Sequence, residues 1–260
     1  MAESPYALLD RAGAASIFFP RDDQRPPPPG SRDLSIEVDA GIEVAARFYA
    51  QDPANPTILY FHGNGEVAAD HDDIAPFYHA IGLNLFVAEF RGYGRSNGQP
   101  SYEALVEDAH PVVEFFHTAL DQEGFDARRY IMGRSLGNQP ALEVASRAAD
   151  RFQGLIIESG AGLIGRMLQR LGLELSGEAA ALAEHHESKI RAIRLPALLI
   201  HGERDDLVPI RAAIELDELL AETERELVVI PDAGHNDLLW RGQTRYFEAI
   251  AKFVAGTAAV

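Results

Sequence analysis

The chain has 260 residues, no cysteine, and a net charge of −17 from 23 basic and 40 acidic side chains. That length suits a large domain with a full apolar core and no need for a disulfide or structural metal. Lack of cysteine excludes a disulfide scaffold, a cysteine nucleophile and a thiolate zinc site, and the acidic surplus counts against nucleic acid and anionic membranes as partners.

Met1 to Asp10 lacks the basic start and apolar run of a signal peptide. No window of 18 apolar residues offers a membrane span. The expectation is a cytoplasmic protein. Residues 1–30 read as an arm lying on the domain: Arg21 to Arg25 is charged, and Pro26 to Pro29 with Gly30 is a stiff polyproline-like stretch. Ser35 to Val38 alternates polar and apolar, Ile42 to Tyr49 reads as a second strand, and Asp39-Ala40-Gly41 offers the hairpin turn between them.

Beyond Asp52 to Pro56 the texture changes. Thr57 to Phe61 is a continuous β-rich run, as buried parallel strands tend to be. Asn84 to Ala88, Tyr130 to Met132, Leu155 to Ile157, Ala197 to Ile200 and Leu227 to Ile230 follow the same pattern. Helical patterns alternate with them: Val67 to Ile81, Tyr102 to Leu120, Leu136 to Ala149, Arg211 to Ala221 and Leu238 to Val254. Short apolar strands alternating with helices predict an α/β fold, a parallel sheet with helices on both faces. Residues 31–158 and 195–260 form the expected core. The long crossover, residues 159–194, carries helix-like segments at Ile164 to Leu173 and Glu178 to Ile190. It reads as a small lid over the carboxyl ends of the strands, where open α/β sheets bind ligands.

Two stretches match Gly-x-Ser-x-Gly: Gly94-Arg95-Ser96-Asn97-Gly98 and Gly133-Arg134-Ser135-Leu136-Gly137. A nucleophile elbow needs a strand, a one-residue strained turn, then a helix, with small residues flanking the turn so that strand and helix can approach. Ser135 follows a strand and precedes a good helix pattern, whose N-terminus aims its dipole and free N–H groups at the Ser oxygen. Ser96 precedes Asn97-Gly98-Gln99-Pro100, a turn without a helix, so its glycines read as loop positions. Ser135 is the candidate nucleophile.

A Ser hydroxyl needs a neighbouring base. Of the nine histidines, His235 follows the last strand, in Gly234-His235-Asn236, where its loop can lean over Ser135. His71, His79, His110, His117, His185, His186 and His201 read as surface or core. The orienting carboxylate is expected after the preceding strand, in His201-Gly202-Glu203-Arg204-Asp205-Asp206. Asp205 is favoured, since Asp206 lies nearer the next helix as a cap. For the oxyanion, the residue after the nucleophile supplies one N–H, that of Leu136. Phe61-His62-Gly63-Asn64-Gly65-Glu66 supplies the second, assigned to Asn64 with Gly65 as the rival, while His62 braces this loop by hydrogen bonds. No His-Glu-x-x-His or similar spacing points to a metal, and no cofactor is required.

Together, Tyr60-Phe61-His62-Gly63-Asn64-Gly65, Phe90-Arg91-Gly92-Tyr93-Gly94-Arg95-Ser96, Gly133-Arg134-Ser135-Leu136-Gly137, His201-Gly202-Glu203-Arg204-Asp205 with Val208-Pro209, and Gly234-His235 resemble the α/β-hydrolase superfamily. The likeness covers residues 57–254 and is greatest to its serine-hydrolase branch, near bacterial esterases and serine aminopeptidase-like proteins. It implies an eight-stranded, mostly parallel sheet with its second strand antiparallel, and the acid at Asp205. Glu89 stands where the family often has Asp, and Asn138 where it has a small residue.

The leading expectation is a hydrolase of a small-molecule carboxylic ester, working through an acyl-enzyme with Ser135, His235 and Asp205. A thioesterase, amidase or peptidase on the same triad is the alternative. A third reading is a non-catalytic binding or interaction protein on this fold. In the lid, five basic residues (Arg166, Arg170, Lys189, Arg191, Arg194) against four acidic ones suggest either an anionic acyl substrate or a solvated mixed-charge surface. Met167, Leu168, Leu171 and Leu175 either line an acyl pocket or pack the lid.

Overall fold

The computed structural model describes residues 4–126, 128–161 and 164–257. Residues 1–3 of the expected arm, 162–163 of the expected lid, and 127 and 258–260 of the expected core lie outside the described residues.

Eight strands form one sheet: β1 (Ser31–Asp39), β2 (Ile42–Tyr49), β3 (Thr57–Phe61), β4 (Asn84–Ala88), β5 (Arg129–Arg134), β6 (Gly154–Glu158), β7 (Ala197–Gly202) and β8 (Arg225–Ile230). Their order is β1-β2-β4-β3-β5-β6-β7-β8, with β2 antiparallel to both neighbours and every other pairing parallel. This is the sheet the family resemblance implies. β3, β4, β6 and β7 are buried along their whole length. A parallel strand covered on both faces reads as a near-continuous apolar run, broken here at or near strand ends by Thr57, Asn84, Glu158 and His201. Leu59, Ile131, Leu155 and Leu199 point into one core, Tyr60, Met132, Ile156 and Leu198 into the other.

Ten helices flank the sheet: α1 (Ala7–Arg11), α2 (Ala75–Ala80), α3 (Tyr102–Glu107), α4 (Ala109–Gln122), α5 (Asn138–Arg147), α6 (Gly165–Arg170), α7 (Gly177–Arg191), α8 (Ile210–Leu219), α9 (Leu238–Arg241) and α10 (Gln243–Thr257), counted among the described residues. Phe116 of α4, Leu142 of α5 and Leu216 of α8 join the first core, and Tyr78 of α2 and Phe247 of α10 join the second.

Four of the predicted helices are interrupted, each beside a proline or glycine. The Val67–Ile81 pattern becomes a 3-10 turn, Ala68–His71, followed by α2. Pro76 cannot donate a helical hydrogen bond and fits only the first turn, so the helix starts at Ala75. Pro111 likewise has no N–H for the Glu107 carbonyl, and the Tyr102–Leu120 pattern divides at Asp108. Pro140 has none for Leu136, so that helix opens as a 3-10 turn, Ser135–Gly137, before α5. The last pattern divides at Gly242, where a Cβ would fall 2.3 Å from Ile230 Cγ2.

The first thirty residues are more deeply built in than their composition predicts. Tyr6, Leu9 and Phe18 are buried in the first core. Burying a large apolar side chain stabilises by roughly 1.5–3 kcal/mol, so the segment is part of the core and does not merely lie on it. Residues 164–194 pack into the same core through Leu168, Leu182 and Ile190. Lys189 reaches Glu143 of α5 at 2.6 Å and also donates to the Tyr6 hydroxyl. Arg166 pairs with Glu215 of α8 at 2.6 Å.

Candidate active site

β3, β5, β7 and β8 all end at one edge of the sheet, and the loops leaving those ends carry the predicted site residues. At the end of β5 the chain must turn from strand to helix within one residue. Ser135 does this with φ of 51°, a left-handed conformation that costs a non-glycine residue about 1–3 kcal/mol. The flanking glycines permit it. A Cβ on Gly133 would lie 2.4 Å from the Gly137 carbonyl oxygen, and one on Gly137 would lie 2.1 Å from that of Phe61. Both obstacles are backbone, so only glycine lets the new helix sit this close to β5 and β3.

Ser135 Oγ lies 3.0 Å from His235 Nε2, and His235 Nδ1 lies 2.7 Å from Asp205 Oδ2. An ionised Asp205 accepts a hydrogen bond from the Nδ1–H, which keeps the proton on Nδ1 and leaves Nε2 as the acceptor facing the hydroxyl. Both side chains are buried. Burial alone would raise the Asp205 pKa; the His235 hydrogen bond and the Val208 N–H outweigh it, and the carboxyl is held below its ordinary range. Asp205 Oδ1 also accepts from the N–H groups of Leu207 and Val208 at 3.0 and 2.7 Å, which fixes the carboxylate plane. The two loops pack main chain to main chain. The Arg204 N–H donates to the Ala233 carbonyl at 2.8 Å, and a Cβ on Gly202 would fall 2.5 Å from that same oxygen. Asp206 is exposed and caps nothing: the N-cap of α8 is Pro209, with no side-chain bond. The expected capping role is therefore corrected, because the N-cap position falls on Pro209, three residues beyond Asp206.

In the loop after β3, His62 is fully buried. Its Nε2 lies 2.9 Å from Glu89 Oε2 and its Nδ1 lies 2.8 Å from the Gly63 carbonyl. Both partners accept, so the imidazole that serves both is the charged one. Burial opposes that charge, and Glu89 outweighs burial, raising the His62 pKa. His62 thus braces the loop as predicted, and Glu89 does so in place of the usual Asp. Its extra length is accommodated by Gly94, where a Cβ would meet Glu89 Oε1 at 2.1 Å.

The Asn64 side chain turns toward the N-terminal segment. Its Oδ1 accepts from the Phe19 N–H at 3.0 Å and the Tyr93 hydroxyl at 2.7 Å, and its Nδ2 donates to the Ile17 carbonyl. Among the described residues, the main-chain N–H groups of Asn64 and Gly65 donate no hydrogen bond. Leu136 follows Ser135 in the turn that opens the helix. Asn138 donates from Nδ2 to the carbonyls of Ser135 and Glu158 at 2.9 and 3.0 Å, tying elbow to β6.

A partly buried ionic cluster adjoins these residues and was not foreseen. Arg134 Nε donates to Glu158 Oε1 at 3.0 Å, Nη1 to Glu66, and Nη2 to the His235 carbonyl at 2.9 Å. Tyr246 donates to the second Glu158 oxygen at 2.8 Å. The signal was present in outline: Glu158 closes an otherwise apolar strand, and Glu66 follows the glycine-rich turn. The cluster borders a cavity of about 240 Å³ lined by Tyr60, His71, Tyr78, Trp240 and His235. Among the described residues no group of three or more His, Asp or Glu side chains is arranged to hold a metal ion, and no helix is long and apolar enough to cross a membrane.

The family described as serine aminopeptidase, S33, matches residues 52–179. Protein bem46 of Schizosaccharomyces pombe is 30% identical over 210 residues, 78% of this chain and 68% of that one. Est1E from Butyrivibrio proteoclasticus, solved with ferulic acid bound, superposes with a TM-score of 0.69 at 21% identity, covering 87% of this chain and 100% of that chain. The Pyrococcus furiosus esterase Pf2001 gives 0.69 at 18% identity, covering 86% and 91%. At such identities the structural likeness speaks for the fold alone.

Proposed function

The chain belongs to the α/β-hydrolase superfamily, and from that premise we propose that it is a serine hydrolase that cleaves a small-molecule carboxylic ester through an acyl-enzyme. The observation that carries the reading is the strained Ser135 with its Oγ 3.0 Å from a buried imidazole that is itself bonded to a buried carboxylate.

In this reading Ser135 Oγ attacks the ester carbonyl while His235 Nε2 takes its proton. Asp205 fixes the tautomer and stabilises the imidazolium that forms. The carbonyl oxygen becomes an oxyanion held by the N–H groups of Leu136 and Asn64; each such donor contributes roughly 10²–10³ in rate. The C–O bond then breaks, and the alkoxide leaves as an alcohol with the proton from His235. Water repeats the sequence on the acyl-enzyme: His235 removes its proton, the acid departs, and Ser135 recovers its hydrogen.

Residues 159–194 act as the lid in this reading. Their basic side chains do not favour an anionic acyl carrier. Four of the five are engaged within the protein: Arg166 and Arg191 pair with Glu215 and Glu187, Lys189 is buried against Glu143, and Arg194 donates to nearby carbonyls; Arg170 is exposed. The mixed-charge surface is the better account of that composition, and a neutral ester the better substrate class.

The test is labelling with a fluorophosphonate serine probe on wild type, Ser135→Ala and Ser96→Ala, followed by esters graded by acyl length with thioester and amide counterparts. Labelling lost only in Ser135→Ala supports the reading. A folded wild type that neither labels nor turns over any activated ester overturns it and favours a binding role.

A further inference from the structure

The residue before a nucleophilic serine has no part in the chemistry of acyl transfer, and here it is a largely buried arginine. Its side chain is 13% exposed, and it leaves β5 on the face of the sheet opposite α5. We propose that Arg134 is a positioning residue of this site, whose guanidinium holds the oxyanion loop and the histidine loop in fixed relation to the elbow. The inference rests on the Ser135, His235 and Asp205 reading above.

Each edge of the guanidinium meets a different part of the site. Nη1 donates to Glu66 Oε1, and Glu66 Oε2 accepts the Gly63 N–H at 2.7 Å, within the loop that carries Asn64. Nη2 donates to the main-chain carbonyl of His235 itself at 2.9 Å, and to Asn236 Oδ1 at 3.4 Å. Nε is fixed from below by Glu158 at 3.0 Å, which Tyr246 of α10 orients in turn. Because Arg134 is bonded covalently to Ser135, one rigid plane spans all three loops.

The backbone has made room for this contact. A Cβ on Gly63 would lie 2.4 Å from Arg134 Nη1, so any side chain after His62 would push the guanidinium from its present place. Electrostatics hold the charge in place. Burial works against the cation, but Glu66 and Glu158 outweigh it and raise its pKa, and Arg134 in turn outweighs burial at Glu66, whose pKa is lowered. A lysine would keep the charge and lose the fork. Its single nitrogen cannot reproduce three divergent contacts in one plane.

A misplacement of about 1 Å in a reacting group can cost on the order of 10²-fold in rate. Arg134→Lys and Arg134→Gln are therefore expected to lower kcat per active site by roughly 10²-fold with KM within about threefold. Glu66→Gln, which keeps size and shape, lowers it by about tenfold. The Arg134→Gln, Glu66→Gln double variant should be no slower than Arg134→Gln alone, since one contact is removed twice. Active sites are counted by fluorophosphonate titration, so that unfolded protein drops out of the rate. Arg95→Gln, in the other Gly-x-Ser-x-Gly loop, is the control expected to match wild type.

Full kcat per titrated site in Arg134→Lys would overturn the proposal and leave a purely structural role, visible as a lowered Tm. If both Arg134 variants fail to fold, Glu66→Gln decides: wild-type kcat per site defeats the proposal, and a tenfold loss at unchanged Tm upholds it. A wild type that never labels points instead to failure of the serine reading.

Discussion

The same five-letter pattern, Gly-Arg-Ser-x-Gly, occurs twice in this chain and folds into two unlike objects. At Ser135 the glycines are small because main chain crowds them, and the serine itself takes the left-handed conformation. At Ser96 the conformations are reversed. Gly94 and Gly98 have φ of 54° and 77°, while Ser96 is not among the left-handed residues. Its hydroxyl accepts the Ala45 N–H at 2.9 Å, and Asn97 exchanges bonds with Glu43 on the same strand. One loop stores strain and presents its oxygen to an imidazole; the other relaxes and uses its oxygen to finish the edge of β2. The arginines differ likewise. Arg134 is enclosed by three loops of the site, while Arg95 is more than a third exposed and reaches Asp33 and two carbonyls near Arg25. What precedes and follows the pattern therefore decides its meaning: a buried strand and a helix in one case, a turn ending in Pro100 in the other.

The sharpest way to break this comparison is to remove each hydroxyl. Ser135→Ala is expected to lower ester kcat by about 10⁴-fold or more, and Ser96→Ala to stay within about twofold; steady-state assays on matched folded protein check both. Asp205→Asn comes next, with a loss of roughly 10³–10⁴-fold in kcat, because the imidazole then settles in the wrong tautomer. The glycines follow. Gly137→Ala drives a methyl into the Phe61 carbonyl and should destabilise by several kcal/mol, on the order of 3 or more. Gly98→Ala meets only side chains, Ile42 at 3.2 Å and Arg91 at 3.5 Å, and pays the left-handed strain of about 1–2 kcal/mol. Urea melts of the two variants should keep that order.

Acid gives a smaller but signed effect. The Asp205 pKa is depressed in the fold, so its contribution to stability is complete above the ordinary carboxylate range. It is lost as pH falls through the depressed value. The stability difference between wild type and Asp205→Asn should accordingly narrow as urea melts are taken from pH 7 toward pH 3, whereas that between wild type and Ser96→Ala, about 1 kcal/mol from one hydrogen bond, should hold constant over the same range. A difference for Asp205→Asn that widens in acid would contradict the assigned direction.

The central strands were legible because burial on two faces leaves near-continuous apolar runs, and the order Ser135, Asp205, His235 follows from which strands precede those residues. The helix breaks were legible too, in Pro76, Pro111, Pro140 and Gly242, but a reading by apolar period passes over them. The burial of Tyr6, Leu9 and Phe18 was hidden, since a charged and proline-rich stretch follows them and composition averages the two. Arg134 was hidden for another reason. Its partners Glu66, Glu158 and His235 come from two separate loops and the end of β6, and no local pattern states where a long side chain will point.

The Asn64 amide, gripped by Ile17 and Phe19, has a thermodynamic corollary. A loop and a strap that share hydrogen bonds share their fluctuations, and linkage is reciprocal. Whatever firms the turn at residues 62–66 also withdraws residues 17–19 from the open states that a protease must capture. Arg21 lies just beyond and is exposed, and the Arg21–Asp22 bond is one that trypsin can cut. If Ser135 forms the proposed acyl-enzyme, nicking at that strap would slow on acylation, so the far end of the chain would keep a clock on an event at the elbow.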